Sequence, residues 1–285
     1  MPDFPLVTLD LARRIERMGV EDLAAYAAEA CASGVYPGST TFRVGGGGAY
    51  WYSPGNIVNG SFGLGMDGPV EQEQIAALIA FFEDRGEPAK VDVCPYADAS
   101  LRRWLAEYGF VATDFETVLY QPLDGDAPSE SAAAEGRVHG TPEVLLASTA
   151  AERELWATLE ARGFMDDAAD EAGLILARAI ALRTDSLPFI GYLDGEPAGT
   201  GMLVIKGGIA MFNGDSTLPA MRGRGVQSAI LAHRLAYARA AGCDLAVIEA
   251  SPGGISERNQ QRAGFRVAYT RVSLERPPAA SPASV

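Results

Sequence analysis

Cysteine, histidine and lysine are all scarce in this 285-residue chain. The three cysteines, Cys31, Cys94 and Cys243, are widely spaced and odd in number. That argues against a disulfide framework or a thiolate metal cage and fits a reducing compartment. The two histidines, His139 and His233, cannot by themselves build a His-rich metal centre, and neither stands in a serine-triad motif. No metal is therefore expected. No apolar run approaches the roughly 18–20 residues that cross a bilayer. Met1-Pro2-Asp3-Phe4-Pro5 lacks the basic-then-apolar order of a secretory leader. The expectation is a cytoplasmic protein. Only two basic residues, Lys90 and Lys206, are lysine. With abundant alanine, this points to a high-GC bacterial genome.

What is present is globular in composition, 48% hydrophobic and 21% charged. The net charge of −14 is unevenly spread. Residues 1–124 hold 18 acids against 8 bases, whereas residues 137–285 hold 16 acids and 15 bases. The first part should repel nucleic acid and anionic membranes, so neither is expected as a partner. An anionic ligand should be sought in the second part.

The length suits two domains. Residues 124–137, containing DGDAPSESAAAEG, read as a linker, and 276–285 read as a loose tail. Domains of 1–123 and 138–275 remain, and a repeat relates them. Gly109-Phe110 and Gly264-Phe265 each follow a strand and a short helix and precede an alternating strand. Upstream of each is a longer helix ending at glycine, GPVEQEQIAALIAFFEDRG and QSAILAHRLAYARAAG. In the latter, Val226, Ile230, His233 and Tyr237 make one stripe, which assigns His233 to the core. Asp194-Gly195 and Lys206-Gly207-Gly208 read as hairpin turns. The second half thus reads α, α, β, β, β, α, β, α, β, a mixed α+β fold.

The most informative stretch is STLPAMRGRGVQSAI, residues 216–230. A strand ends, an Arg- and Gly-containing loop follows, and an amphipathic helix begins. Unpaired backbone N–H groups and a positive dipole end make such a junction an anion site. Gly223 and Gly225 allow positive φ and close approach, and Arg222 and Arg224 add charge. The loop is neither a Walker loop nor a dinucleotide fingerprint, since Ser228 stands where the third glycine would.

Pro219-x-x-Arg222-Gly223-Arg224-Gly225-Val226-Gln227 resembles the acyl-CoA pyrophosphate loop of the GNAT acetyltransferase superfamily. Arg222 and Gly225 match the first fixed positions, and Gln227 replaces a Gly or Ala. The resemblance covers 138–275 and, through the repeat, extends weakly to 1–123. It implies two GNAT-like domains, each a twisted, mostly antiparallel sheet flanked by helices. It implies acetyl-CoA as acyl donor, bound by Thr217, Leu218, Arg222, Gly223, Arg224, Gly225, Val226, Gln227, Ser228 and Asn259. In the first half the equivalent loop, Gly63-Leu64-Gly65-Met66-Asp67-Gly68-Pro69-Val70, has no base and carries Asp67. That half is expected to have lost CoA binding.

The implied reaction moves an acyl group from a thioester to an amine. A bulge in the strand before the loop would free amides for the thioester, and Asn213-Gly214 suits one; the same pair could instead be a hairpin turn. The family's glutamate and tyrosine positions fall at Met211 and Gln260, which cannot move protons. Asp215 is the nearest carboxylate and the candidate base; a solvated turn aspartate is the alternative. Glu249, at the end of the next strand, could act through water. The expected acceptor is a small-molecule amine, and a homodimer is left open. Acylation of a protein amine and non-catalytic acyl-CoA binding are the alternatives.

Overall fold

The computed structural model describes residues 4–123 and 140–277. The linker expected at 124–137, His139 and most of the tail at 276–285 lie outside the described residues. The helices are α1 (Leu9–Ala32), α2 (Gln72–Glu83), α3 (Ala99–Glu107), α4 (Ala150–Phe164), α5 (Glu171–Ala181), α6 (Val226–Ala240) and α7 (Ile255–Arg262). The strands are β1 (Thr40–Val44), β2 (Gly47–Trp51), β3 (Gly60–Phe62), β4 (Lys90–Val93), β5 (Val111–Pro122), β6 (Glu143–Leu146), β7 (Ser186–Leu193), β8 (Glu196–Lys206), β9 (Ile209–Thr217), β10 (Leu245–Ala250) and β11 (Arg266–Glu275). The fold is mixed α+β, with mostly antiparallel sheet flanked by helices.

The chain forms two compact units that do not follow a simple halving. The N-terminal unit is Val7–Val118, Ala250–Pro252 and Val267–Val285; the C-terminal unit is Met1–Leu6, Leu119–Glu249 and Gly253–Arg266. The last strand of the second repeat, β11, therefore belongs with the first repeat, where Val272 pairs Val93 of antiparallel β4. The end of β5 belongs with the second repeat, where Leu123 N–H donates to Asp244 O at 2.9 Å. Gly-Phe and strand periodicity mark each repeat, but neither signals which sheet a final strand joins.

In the N-terminal unit the strands run β1-β2-β3-β4-β11-β5, with β3 and β4 parallel. Tyr50 and Tyr52 are buried, so the Tyr50-Trp51-Tyr52 run packs against the unit's own core. The C-terminal unit runs β10-β9-β8-β7-β6, antiparallel except for β9 beside β10. The turns at Asp194-Gly195 and Gly207-Gly208 fall where their residues direct, all four with positive φ. Strand β6 has no counterpart in the sequence reading. It has only four residues and alternates exposed with half-buried positions, so it carries little apolar signal.

The N-terminal unit buries one charged cluster. Glu16 and Arg271 are each 1% exposed. Arg271 Nε donates to Glu16 Oε1 at 2.8 Å, and Tyr269 Oη donates to the same oxygen at 2.7 Å. Burial, with the Glu16 charge adding to it, pushes the Cys94 thiol up to about 12, which makes it a poor nucleophile. Removing one partner of a buried ion pair strands the other. Glu16→Gln should therefore lower stability by about 3–5 kcal/mol in urea unfolding, and Glu16→Gln with Arg271→Met should recover part of it.

Candidate active site

Strand β9 carries the irregularity on which the C-terminal unit is arranged. Met202 pairs Asn213, but the next pair is Thr200 with Ser216. Gly214 and Asp215 thus oppose Gly201 alone, which is a β-bulge. The bulge interpretation of Asn213-Gly214 holds, and the hairpin turn lies earlier, at Gly207-Gly208. Gly214 has φ of 58°, and a Cβ there would come within 2.8 Å of the Trp156 ring. No larger residue fits this bend against fully buried Trp156.

A buried guanidinium ties the bulge down. Arg234 on α6 is 0% exposed. Its Nη1 donates to Met202 O at 2.7 Å and Asn213 O at 3.2 Å, and its Nη2 pairs with Asp215. Gln227 Nε2 donates to the same Asp215 oxygen at 2.5 Å, and Thr217 Oγ1 donates to Gln227 Oε1 at 3.3 Å. Burial raises the Asp215 pKa, while Arg234 and Gln227 oppose the rise. The α6 stripe corrects the sequence reading. Val226, Ile230, Arg234 and Ala238 are buried, whereas His233 and Tyr237 are exposed. The hydrophobicity of the side chains pointed to the wrong phase because the buried position is an arginine with polar partners.

The loop after β9 has the expected shape. Pro219–Met221 forms a tight turn, then Gly223 and Gly225 take φ of 73° and 83°. Gly225 is the left-handed residue that starts α6, and no side chain caps that helix. By contrast the side-chain oxygens of Thr8, Asp98, Thr149 and Asp170 each accept a backbone N–H at the start of α1, α3, α4 and α5. The first amides of α6 thus keep their donor capacity beside two arginines. Both arginines are ion-paired. Arg222 Nη2 lies 2.6 Å from Asp166 Oδ1 and also donates to Gly163 O at 2.9 Å. Arg224 Nη2 lies 3.1 Å from Asp194 Oδ2. Asp166 and Asp194 have positive φ, which costs energy for a residue with a Cβ.

Across β8 and β9 from Arg234 stands a carboxylate that the sequence reading missed. Glu160 on α4 accepts from Thr200 Oγ1, which lies 2.7 Å from Ser216 Oγ. Desolvation pushes Glu160 up to about 7; the Thr200 and Ser216 hydroxyls pull the other way, and the Asp215 charge adds to the rise. Its signal in sequence is faint, one acid among several on α4.

The remaining expected positions scatter. Thr217 and Leu218 are half-buried at the end of β9, Val226 is buried, and Ser228 is exposed. Asn259 is exposed on α7, where its Oδ1 accepts from Arg262 Nη1 at 3.0 Å. Met211 and Gln260 are buried, and Glu249 is half-buried near the end of β10. In the N-terminal unit a Glu71–Gln74 capping box occupies the start of α2. An acid thus stands at the position matching the open start of α6.

Residues 150–260 match the Acetyltransferase (GNAT) family model. That segment, rather than the whole chain, carries the GNAT acetyltransferase domain. The fold extends beyond that segment in several solved structures. A GCN5-related N-acetyltransferase from Kribbella flavida aligns over 90% of this chain and 96% of its own, with a TM-score of 0.62 at 18% identity. A tandem GNAT protein from the clavulanic acid biosynthesis pathway, solved without AcCoA, aligns over 90% and 94%, with a TM-score of 0.57 at 16% identity. A functionally unknown conserved protein from Staphylococcus epidermidis aligns over 85% and 96%, at 0.55 and 13%. No curated protein matches the sequence. A GNAT fold supports acyl-CoA-dependent acetyl transfer. Among the described residues, no helix is long and apolar enough to cross a membrane, and no cluster of three metal-ligating side chains occurs.

The GNAT domain's Glu160 sets a pH dependence. Its folded pKa, about 7, lies above the unfolded carboxylate value, so the native state binds more protons between about 4.5 and 7. Stability from this group falls as pH rises through that window. Glu160→Gln should flatten the fall by up to about 3 kcal/mol, read as the difference between urea midpoints at pH 5 and pH 8 in both proteins.

Proposed function

We propose that this protein is an acetyl-CoA-dependent N-acetyltransferase acting on the amine of a small molecule. The observation that carries the reading is the uncapped, glycine-started α6 beside Arg222 and Arg224, directly after a bulged strand. Gly223 and Gly225 have open space where a Cβ would stand, so a pyrophosphate could approach their amides. Asn213 Oδ1, at the bulge, is a buried acceptor with no partner among the described residues. A pantetheine amide N–H would satisfy it. These features fit an acyl-CoA donor, held by Arg222–Ser228 and by Thr217 and Leu218 at the end of β9; Asn259 is an outer contact. In this reading residues 138–275 are the catalytic half. Residues 1–123 have lost the CoA loop, and their acidity suits a cationic acceptor.

The donor supplies an activated acyl group. The chain's tasks are to hold it next to the amine, to face the developing oxyanion with amides at the bulge, and to take a proton. An alkyl ammonium with a pKa of about 10.4 must lose its proton before it attacks. Two carboxylates flank the bulge. Asp215 was the sequence candidate, but its carboxylate accepts from Arg234 and Gln227. Glu160 sits near 7, matched to accepting a proton at neutral pH, and we assign it the base role ahead of Asp215. Buried Met211 and Gln260 favour one second reading, an acyl-CoA binding module without turnover.

Thiol release from acetyl-CoA, followed across a panel of small amines, tests the assignment. Turnover with at least one amine is expected. Glu160→Gln should lower kcat by about 10²-fold or more and abolish the acidic limb of its pH profile. An intact limb in Glu160→Gln, with a lost one in Asp215→Asn, would return the role to Asp215. Acetyl-CoA binding with no thiol release for any amine would favour the module.

A further inference from the structure

The N-terminal unit contains a cavity of about 310 Å³ between α1, the β1–β2 turn and the loop after β3. Three arginines border it, Arg13 and Arg17 from α1 and Arg43 from β1. They are three of only eight bases in residues 1–124, a segment with 18 acids. Cations concentrated against the sign of their surroundings need a local cause. Arg13 Nε donates to Met66 O at 2.8 Å and lies 3.2 Å from Asp67 Oδ1. Arg17 Nη2 lies 3.4 Å from the same Asp67 oxygen. One carboxylate oxygen thus serves two guanidiniums. Arg43 has no ion-pair partner among the described residues. Glu16, on the floor, is already committed to Arg271. Arg13 Nη1 also pairs with exposed Asp10 at 3.2 Å, so Arg17 and Arg43 face Glu21 and the one Asp67 oxygen that Arg13 already shares.

We propose that this cavity is a second ligand site, which binds a small molecule through a carboxylate or phosphate group held by Arg13, Arg17 and Arg43. Planar guanidiniums bind both oxyanions in a two-pronged way. Asp67 occupies that position in the free protein and is displaced or shared when the ligand enters. The volume suits a small metabolite, at the low end of ligand pockets. The loop Gly63–Pro69 carries no base, and α1 brings two to it. It lies apart from the α2 N-terminus, which its own capping box closes. The proposal does not depend on the acetyltransferase reading.

The test is isothermal titration of the full chain with inorganic phosphate and, separately, succinate, at constant ionic strength set by chloride. The chain carries Arg222→Ala and Arg224→Ala, so that the other anion loop stays silent. Saturable binding of at least one probe is expected, with a Kd in the millimolar range or tighter. Which probe binds distinguishes phosphate from carboxylate recognition. Adding Arg17→Gln and Arg43→Gln should weaken binding at least tenfold. Adding Asp67→Asn instead should tighten it at least threefold, a gain that misfolding cannot produce. Absence of saturable binding for both probes would overturn the site, as would affinity unchanged by Arg17→Gln and Arg43→Gln or by Asp67→Asn.

Discussion

Arg234 holds open the part of the GNAT domain where chemistry could occur. A bulge leaves backbone carbonyls of β8 and β9 out of register, and one buried guanidinium takes two of them while pairing with Asp215. A cation without water is tolerable only when its donors are used, so Arg234, Asp215 and the bulge are interdependent. Gly214 makes the bend, and Trp156 packs against its open side. The bulge in turn directs β9 toward the turn at Pro219 and sets where α6 begins. Geometry at the loop is thus inherited from a polar contact about ten residues away in sequence.

The two repeats solve the same junction with opposite charge. In the C-terminal unit the loop supplies arginines, and an aspartate just beyond α4 answers Arg222. In the N-terminal unit the loop supplies Asp67, and arginines on α1 answer it. Either arrangement satisfies the ion pair locally. The helix starts differ as well: Gly225 begins α6 with no side-chain cap, whereas a Glu71–Gln74 capping box stands at the start of α2.

Much of this was legible in sequence where backbone chemistry is local. Glycine pairs marked the hairpin turns, Gly223 and Gly225 marked the loop, and Asn213-Gly214 marked an irregularity. Contacts distant along the chain were not legible. Arg234 looks like any charge on an amphipathic helix, and its burial depends on acceptors 19 to 32 residues away. Glu160 is desolvated by burial and hydrogen-bonded by Thr200 and Ser216, which no spacing rule connects to it. The placement of β11 with the first repeat is a pairing choice between similar sheet edges.

Asp166 and Asp194 hold the loop arginines from strained left-handed backbone, which makes the free loop a site whose anions are supplied from within. The central claim is that Arg222 and Arg224, with the amides of α6, are there to take a phosphate-bearing donor. Isothermal titration with acetyl-CoA tests it most directly, comparing the natural chain with Arg222→Ala/Arg224→Ala. The account predicts micromolar binding that weakens at least tenfold in the variant and falls with added salt. Equal affinity in the two proteins, or no binding at millimolar acetyl-CoA, would contradict it.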